Sequence, residues 1–164
     1  MSNIKNKANS VDKVTEVNRA QIEHRVTWMA LIFDEMKKAG LDAEGIIRKA
    51  IFRCGLIHGE KIKSQCKDPQ NCADFQQAFL TDLVINSFDM RPIKAEKDTL
   101  DVDFHYCALV SGWQKLGFDD KTCELLCDIA MEGDRGIAKA MGLTLDLPET
   151  IARGCDSCKL RFHK

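Results

Sequence analysis

The chain of 164 residues has no apolar run of membrane-spanning length. Its first stretch, Met1 to Lys13, is polar and lacks an apolar signal core. These absences argue against a spanning helix and an export signal, so the expected location is cytoplasmic. Charge of one sign is also missing: 24 Lys and Arg stand against 25 Asp and Glu, well mixed, for a net charge of −1. Without a basic field or a polybasic run, neither nucleic acid nor a membrane is an expected partner. No internal repeat or low-complexity segment occurs. Prolines number only three, and each reads as punctuation: Pro69 at a helix start, Pro92 at an edge or strand end, Pro148 after a strand.

Apolar residues make up 45% and charged residues 30%, an ordinary globular composition. The length is enough for one core without disulfide or metal staples. Eight cysteines are present. In a reducing compartment they are expected to be buried, metal-binding or catalytic rather than a disulfide framework.

Residues 1–13 read as a flexible N-terminus and 14–164 as a single α+β domain. A helical period runs from Val14 to Lys38, with a stripe of Ile22, Val26, Met29, Phe33 and Met36 broadened by Trp28, Leu31 and Ile32. Gly40 ends that helix, and Asp42 caps a second, antiparallel one with Ile47, Ala50, Ile51, Cys54 and Ile57 inward. Gly55 and Gly59 mark either close helix packing or backbone open to a ligand. His58 reads as a satisfied core histidine. Asp68-Pro69 opens a third helix to about Leu83, with Cys66 and Cys72 as structural residues. The period then changes: Asn86, Phe88 and Met90 alternate as a short strand, followed by a hairpin turn and a strand through Leu100, Val102, Phe104 and Tyr106. Helices are expected to Gly117, over Lys121 to about Met131, and over Asp134 to Met141. Strands follow at Leu143 to Leu147 and Asp156 to His163. The expected fold class is α+β: an N-terminal antiparallel helical layer packed on a small, mostly antiparallel β-sheet with inserted helices.

Candidate chemistry starts at Cys107, where a strand feeds a helix. Backbone N–H groups and the positive end of the helix dipole there favour thiolate over thiol. His105, two residues earlier, would point the same way. Asp128 and Glu132 share a face if their helix continues, either as paired carboxylates for acid–base work or as an acidic face balanced by Arg135. The C-x-x-C at Cys155 and Cys158 lies in a strand, which places Asp156 and Cys158 on one face and makes Asp156 a buried charge in need of a partner. Arg153 and Arg161 are candidates for holding a carboxylate.

Phe104-His105-Tyr106-Cys107, the run Leu126-Cys127-Asp128-Ile129-Ala130-Met131-Glu132-Gly133-Asp134, and Thr150 to Gly154 leading into Cys155-Asp156-Ser157-Cys158 carry a resemblance. With Arg161-Phe162 and the helical pair, the chain resembles the L-2-amino-thiazoline-4-carboxylic acid hydrolase family from about Val14 onward. Ala108 and Leu160 stand where that family often has a proline and an aromatic residue. The resemblance implies a cytoplasmic enzyme of cysteine biosynthesis that opens a cyclic isothiourea to an N-carbamoyl-cysteine-type product. It implies catalytic roles among Cys107, His105, Asp128 and Asp156. Substrate binding would fall to Glu132, Arg153, Arg161, Cys127 and Cys158. No cofactor is firmly implied. The competing readings are a hydrolase holding a divalent metal (zinc or iron) on Cys107, Cys127, Asp128 and Cys158, and a non-catalytic small-ligand module. The partner expected is a small-molecule substrate, with a homo-oligomer compatible.

Overall fold

Capping residues set the frame. In the computed structural model, which describes residues 2–164, the Asp12 carboxylate accepts from the N–H groups of Val14 and Thr15 and starts helix α1, Lys13–Lys38. Gly40, at φ 72°, turns the chain, and Asp42 accepts from the Gly45 N–H to start α2, Ala43–Gln65. Helix α1 buries Thr15, Arg19, Ile22, Val26, Ala30 and Phe33. Trp28, Leu31 and Ile32, expected to widen that stripe, are exposed instead. At 3.6 residues per turn they fall on the far side of the helix from Ile22 and Val26.

The inner row of α2 is Ala43, Ile47, Gly55 and Gly59, whereas Cys54, Ile57 and His58 are exposed. The core-histidine reading of His58 is therefore corrected. The two glycines let α2 lie directly on α7 (Glu132–Met141): a Cβ on Gly55 would sit 2.1 Å from the Gly133 carbonyl oxygen. Of the two readings of the glycine pair, close helix packing is the one realised.

The expected third helix is broken in two. Asn71, not Asp68, caps α3, Cys72–Phe79. Thr81 then accepts from the Val84 N–H and starts α4, Asp82–Phe88, in the place of the expected strand at Asn86 and Phe88. The left-handed Asp89, φ 49°, ends α4 and releases the chain into β1, Met90–Ala95. A hairpin leads to β2, Thr99–Phe104, then α5 at Ala108–Lys115 and α6 at Asp120–Ala130. After α7 come β3, Thr144–Asp146, a 3-10 turn at Ile151–Arg153, and β4, Cys158–His163.

The sheet is antiparallel throughout, in the order β1-β2-β4-β3. Pro92 falls in edge strand β1, where its missing N–H leaves no inner ladder bond unmade. Leu100, Val102, Cys158, Leu160 and Phe162 form the buried face. Phe162 meets the stacked pair Phe75 and Phe79 edge-on, at centroid distances of 5.3 and 5.9 Å. Helix α1 packs along α5, where the Trp113 indole donates to the Val26 carbonyl at 3.2 Å. The fold is mixed α+β, with helices at the N-terminus and between strands.

The segment expected to be flexible, whose Met1 lies outside the described residues, is docked on the domain from Ser2 onward. Ile4 is buried, the Ser2 hydroxyl donates to Asp120, and Asn6 and Asn9 bond to Cys107 and Asp89.

Candidate active site

Cys107 stands where β2 hands over to α5, as the sequence implied, and occupies the N-cap position of the helix. No backbone N–H makes a capping hydrogen bond to its sulfur, although the nearby Leu109 and Val110 N–H groups do favour thiolate. Burial is the larger effect. With 6% of its surface exposed, the Cys107 thiol is pushed up to about 11. The expected thiolate is thus corrected: desolvation outweighs the helix start. Asn6 grips the backbone there, donating to the Cys107 carbonyl at 2.8 Å and accepting its N–H at 2.9 Å.

The chain bends after Phe104, so strand alternation stops before His105. His105 is exposed, with its Nε2 2.7 Å from the Arg91 carbonyl on the edge strand, whereas Cys107 is buried. The side-by-side thiol and imidazole are not formed. Two other thiols do approach Cys107. Cys127 from α6 and Cys158 from the start of β4 are both buried, and burial first, then their mutual charge, holds them protonated. Cys158 is pushed up to about 12, although the Ile151 N–H donates to its sulfur at 3.2 Å.

Beside this trio lies a quartet of charges. Asp128 bonds Arg48 at 2.6 Å through one oxygen and Arg135 at 2.7 Å through the other. Glu132 reaches Arg135 at 2.8 Å and Arg48 at 3.3 Å. Burial would raise the Asp128 carboxyl, but the two guanidinium groups outweigh it and hold it below its usual range. Asp128 and Glu132 do share a face, as an ion-paired one. Among the described residues no group of three or more His, Cys, Asp or Glu is arranged to hold a metal ion. The set Cys107, Cys127, Asp128 and Cys158 is divided, because both Asp128 oxygens are directed to arginines.

A cleft of about 160 Å³ opens between α6, the first turns of α7 and the segment from β3 to the 3-10 turn. Glu124, Cys127 and Asp128 line one wall, with Arg135 beside them; Asp146, Thr150 and Arg153 line the other. Cys127 therefore connects the buried thiols to the cleft. Arg153 faces Glu124 at 3.5 Å, both half exposed, a loose pair that a ligand can displace. The volume suits a single small ring rather than a drug-sized ligand.

Besides His105, two predicted residues fall elsewhere. Arg161 projects from the outer face of the sheet and pairs with Asp103 at 2.6 Å, opposite the face that carries Cys158. Asp156 lies in a bend ahead of β4 and is exposed, so it is not a buried charge; the strand starts at Cys158, two residues later than expected. Glu132 sits within the arginine quartet. Arg48 and Asp134 were not singled out by sequence reasoning. Arg48 had no signal beyond its place on α2. Asp134 is densely surrounded by protein while keeping some solvent contact; burial pushes it up to about 6, and its charge in turn raises the Cys107 thiol.

A family model described as L-2-amino-thiazoline-4-carboxylic acid hydrolase matches residues 19–162. No curated protein and no solved structure matches the chain. No helix among the described residues is long and apolar enough to cross a membrane.

Proposed function

The chain belongs to the L-2-amino-thiazoline-4-carboxylic acid hydrolase family, a family named for a hydrolase, and from that premise we propose that it opens L-2-amino-thiazoline-4-carboxylate or a close relative. Water adds to C2 of the protonated ring, the C2–S bond breaks, and the sulfur leaves with a proton as the thiol of N-carbamoyl-L-cysteine. The observation that carries this reading is the family match over residues 19–162. The mixed charge of the cleft supports it.

The substrate is an amidinium and a carboxylate on one small ring. Asp128 stays ionised, and each of its oxygens has a lone pair left after the arginine bonds, so it can accept from the amidinium. Holding that cation at C2 keeps the carbon electrophilic. Arg153 exchanges Glu124 for the substrate carboxylate. Cys127, protonated at neutral pH, is a donor facing the departing sulfur rather than a standing nucleophile. The attacking group is water held in the cleft. Cys107 supports Cys127 from behind, and its high pKa disfavours a resting thiolate.

Incubation of the purified protein with L-2-amino-thiazoline-4-carboxylate tests this. The expected result is equal release of ureido product and free thiol. Arg153→Gln should raise KM about tenfold or more, the loss of one charge-assisted contact. Wild-type protein that is folded and releases no thiol would remove the substrate assignment.

A further inference from the structure

Arg19 breaks the pattern of its helix. It lies on the buried stripe of α1 among Thr15, Ile22 and Val26, and only 6% of its surface is exposed. Burying a guanidinium is costly unless its charge is answered. No carboxylate oxygen among the described residues comes within 4.0 Å of it. Its partners are neutral: Nε donates to the Ser87 carbonyl at 3.0 Å, Nη2 to Asn86 at 3.0 Å, and Nη1 to Asn9 at 3.1 Å. The Tyr106 ring lies beneath it, 4.4 Å from the centroid. The two α4 carbonyls belong to the C-terminal turn of that helix, which explains part of the stabilisation.

A guanidinium has five N–H donors, and the three bonds above leave two without a protein acceptor. The side chain borders a half-open cavity of about 290 Å³, lined by Asn9 to Val11 of the N-terminal segment, the end of α4 and the start of β1. Arg91 and Asp89 also line it and pair with each other at 3.0 Å. Two cations against one carboxylate leave the cavity one positive charge in excess, and that charge is Arg19's.

We infer that the Arg19 cavity is a binding site for the carboxylate of a small monoanionic ligand. The ligand's two oxygens meet the unused N–H fork of Arg19, and the Asp89 carboxylate beside it discriminates against ligands of higher negative charge. The site shares no lining residue with the cleft of α6 and β3. It is independent of the ring-opening reaction, so either assignment can fail alone.

The test is an NMR titration of the full chain with sodium acetate, following the Arg19 Nε–H resonance, against sodium chloride at matched ionic strength. The expected result is a saturable shift with acetate and none with chloride. Arg91→Gln, at a side chain 67% exposed and therefore safe for folding, should weaken acetate binding several-fold by removing a cation from the cavity. An equal response to chloride, a shift that does not saturate, or no response at Arg19 overturns the proposal.

Discussion

Alanine at Gly55 pits helix propensity against packing. Gly55 lies inside α2, where glycine costs about 1 kcal/mol relative to alanine. On propensity alone Gly55→Ala should stabilise the protein. The packing term has the opposite sign. The new Cβ would sit 2.1 Å from the Gly133 carbonyl oxygen, against 3.4 Å or more for an ordinary contact, so α2 and α7 must separate by ~1.3 Å. The opposing atom is backbone and cannot rotate away. Overpacking of this kind costs about 3 kcal/mol, which leaves a net loss of about 2 kcal/mol and a Tm lower by roughly 4–8 °C for a chain of this size. Gly133→Ala is the control. Its Cβ would meet only Ile51 Cγ2 at 3.6 Å, an ordinary contact, so propensity should decide and stability should hold or rise. Urea and thermal unfolding of both variants give the comparison. The separation also pulls Arg48 on α2 away from Asp128, so the cleft should lose activity with stability. A Gly55→Ala variant as stable as Gly133→Ala would refute the argument, because it would mean that α2 and α7 do not touch through backbone.

Three further outcomes follow from burial. Iodoacetamide at neutral pH should label exposed Cys54 in the folded protein before Cys107, Cys127 or Cys158, which are buried and held protonated; mass spectrometry showing early label on Cys107 would contradict its pKa of about 11. Asp134, raised from 3.8 to about 6, makes the folded state bind a proton that the unfolded state releases, so its contribution is intact below pH 4 and lost as pH rises through 6. Asp134→Asn should therefore stabilise the protein at pH 8, by on the order of 3 kcal/mol, with little effect at pH 4; equal effects at both pH values would contradict the assignment. Asp156→Asn should change neither stability beyond about 0.5 kcal/mol nor turnover, since the side chain is exposed in a bend outside the cleft; a large loss of kcat would return it to the site.

Local chemistry made much of the fold legible. Asp42 as a cap and Gly40 as a left-handed stop act through neighbours a few residues away, and the helix boundaries they imply are found. The error at Asn86 and Phe88 has a local cause too: an alternation of five residues, Asn86 to Met90, fits a short helix end as well as a strand, and the Thr81 cap decides for α4. The site was less legible because its features depend on distant segments. Arg48 meets Asp128 across 80 positions, and nothing local to either marks the pair. Cys107 illustrates the same limit in energy rather than contact. Its place at a helix start could be read from the sequence, whereas the larger effect of desolvation depends on what the whole chain packs around it. Arg19 was the signal passed over: an arginine at the spacing of Thr15, Ile22 and Val26 is a charge on an apolar stripe.

The most direct measurement is the stoichiometry of products from L-2-amino-thiazoline-4-carboxylate, with wild-type protein and Arg153→Gln followed side by side. The account predicts one thiol and one ureido group per substrate consumed, with kcat largely retained and KM raised in the variant. Folded wild-type protein that leaves the ring intact, or an Arg153→Gln variant with unchanged KM, would contradict the assignment of the cleft between α6 and β3.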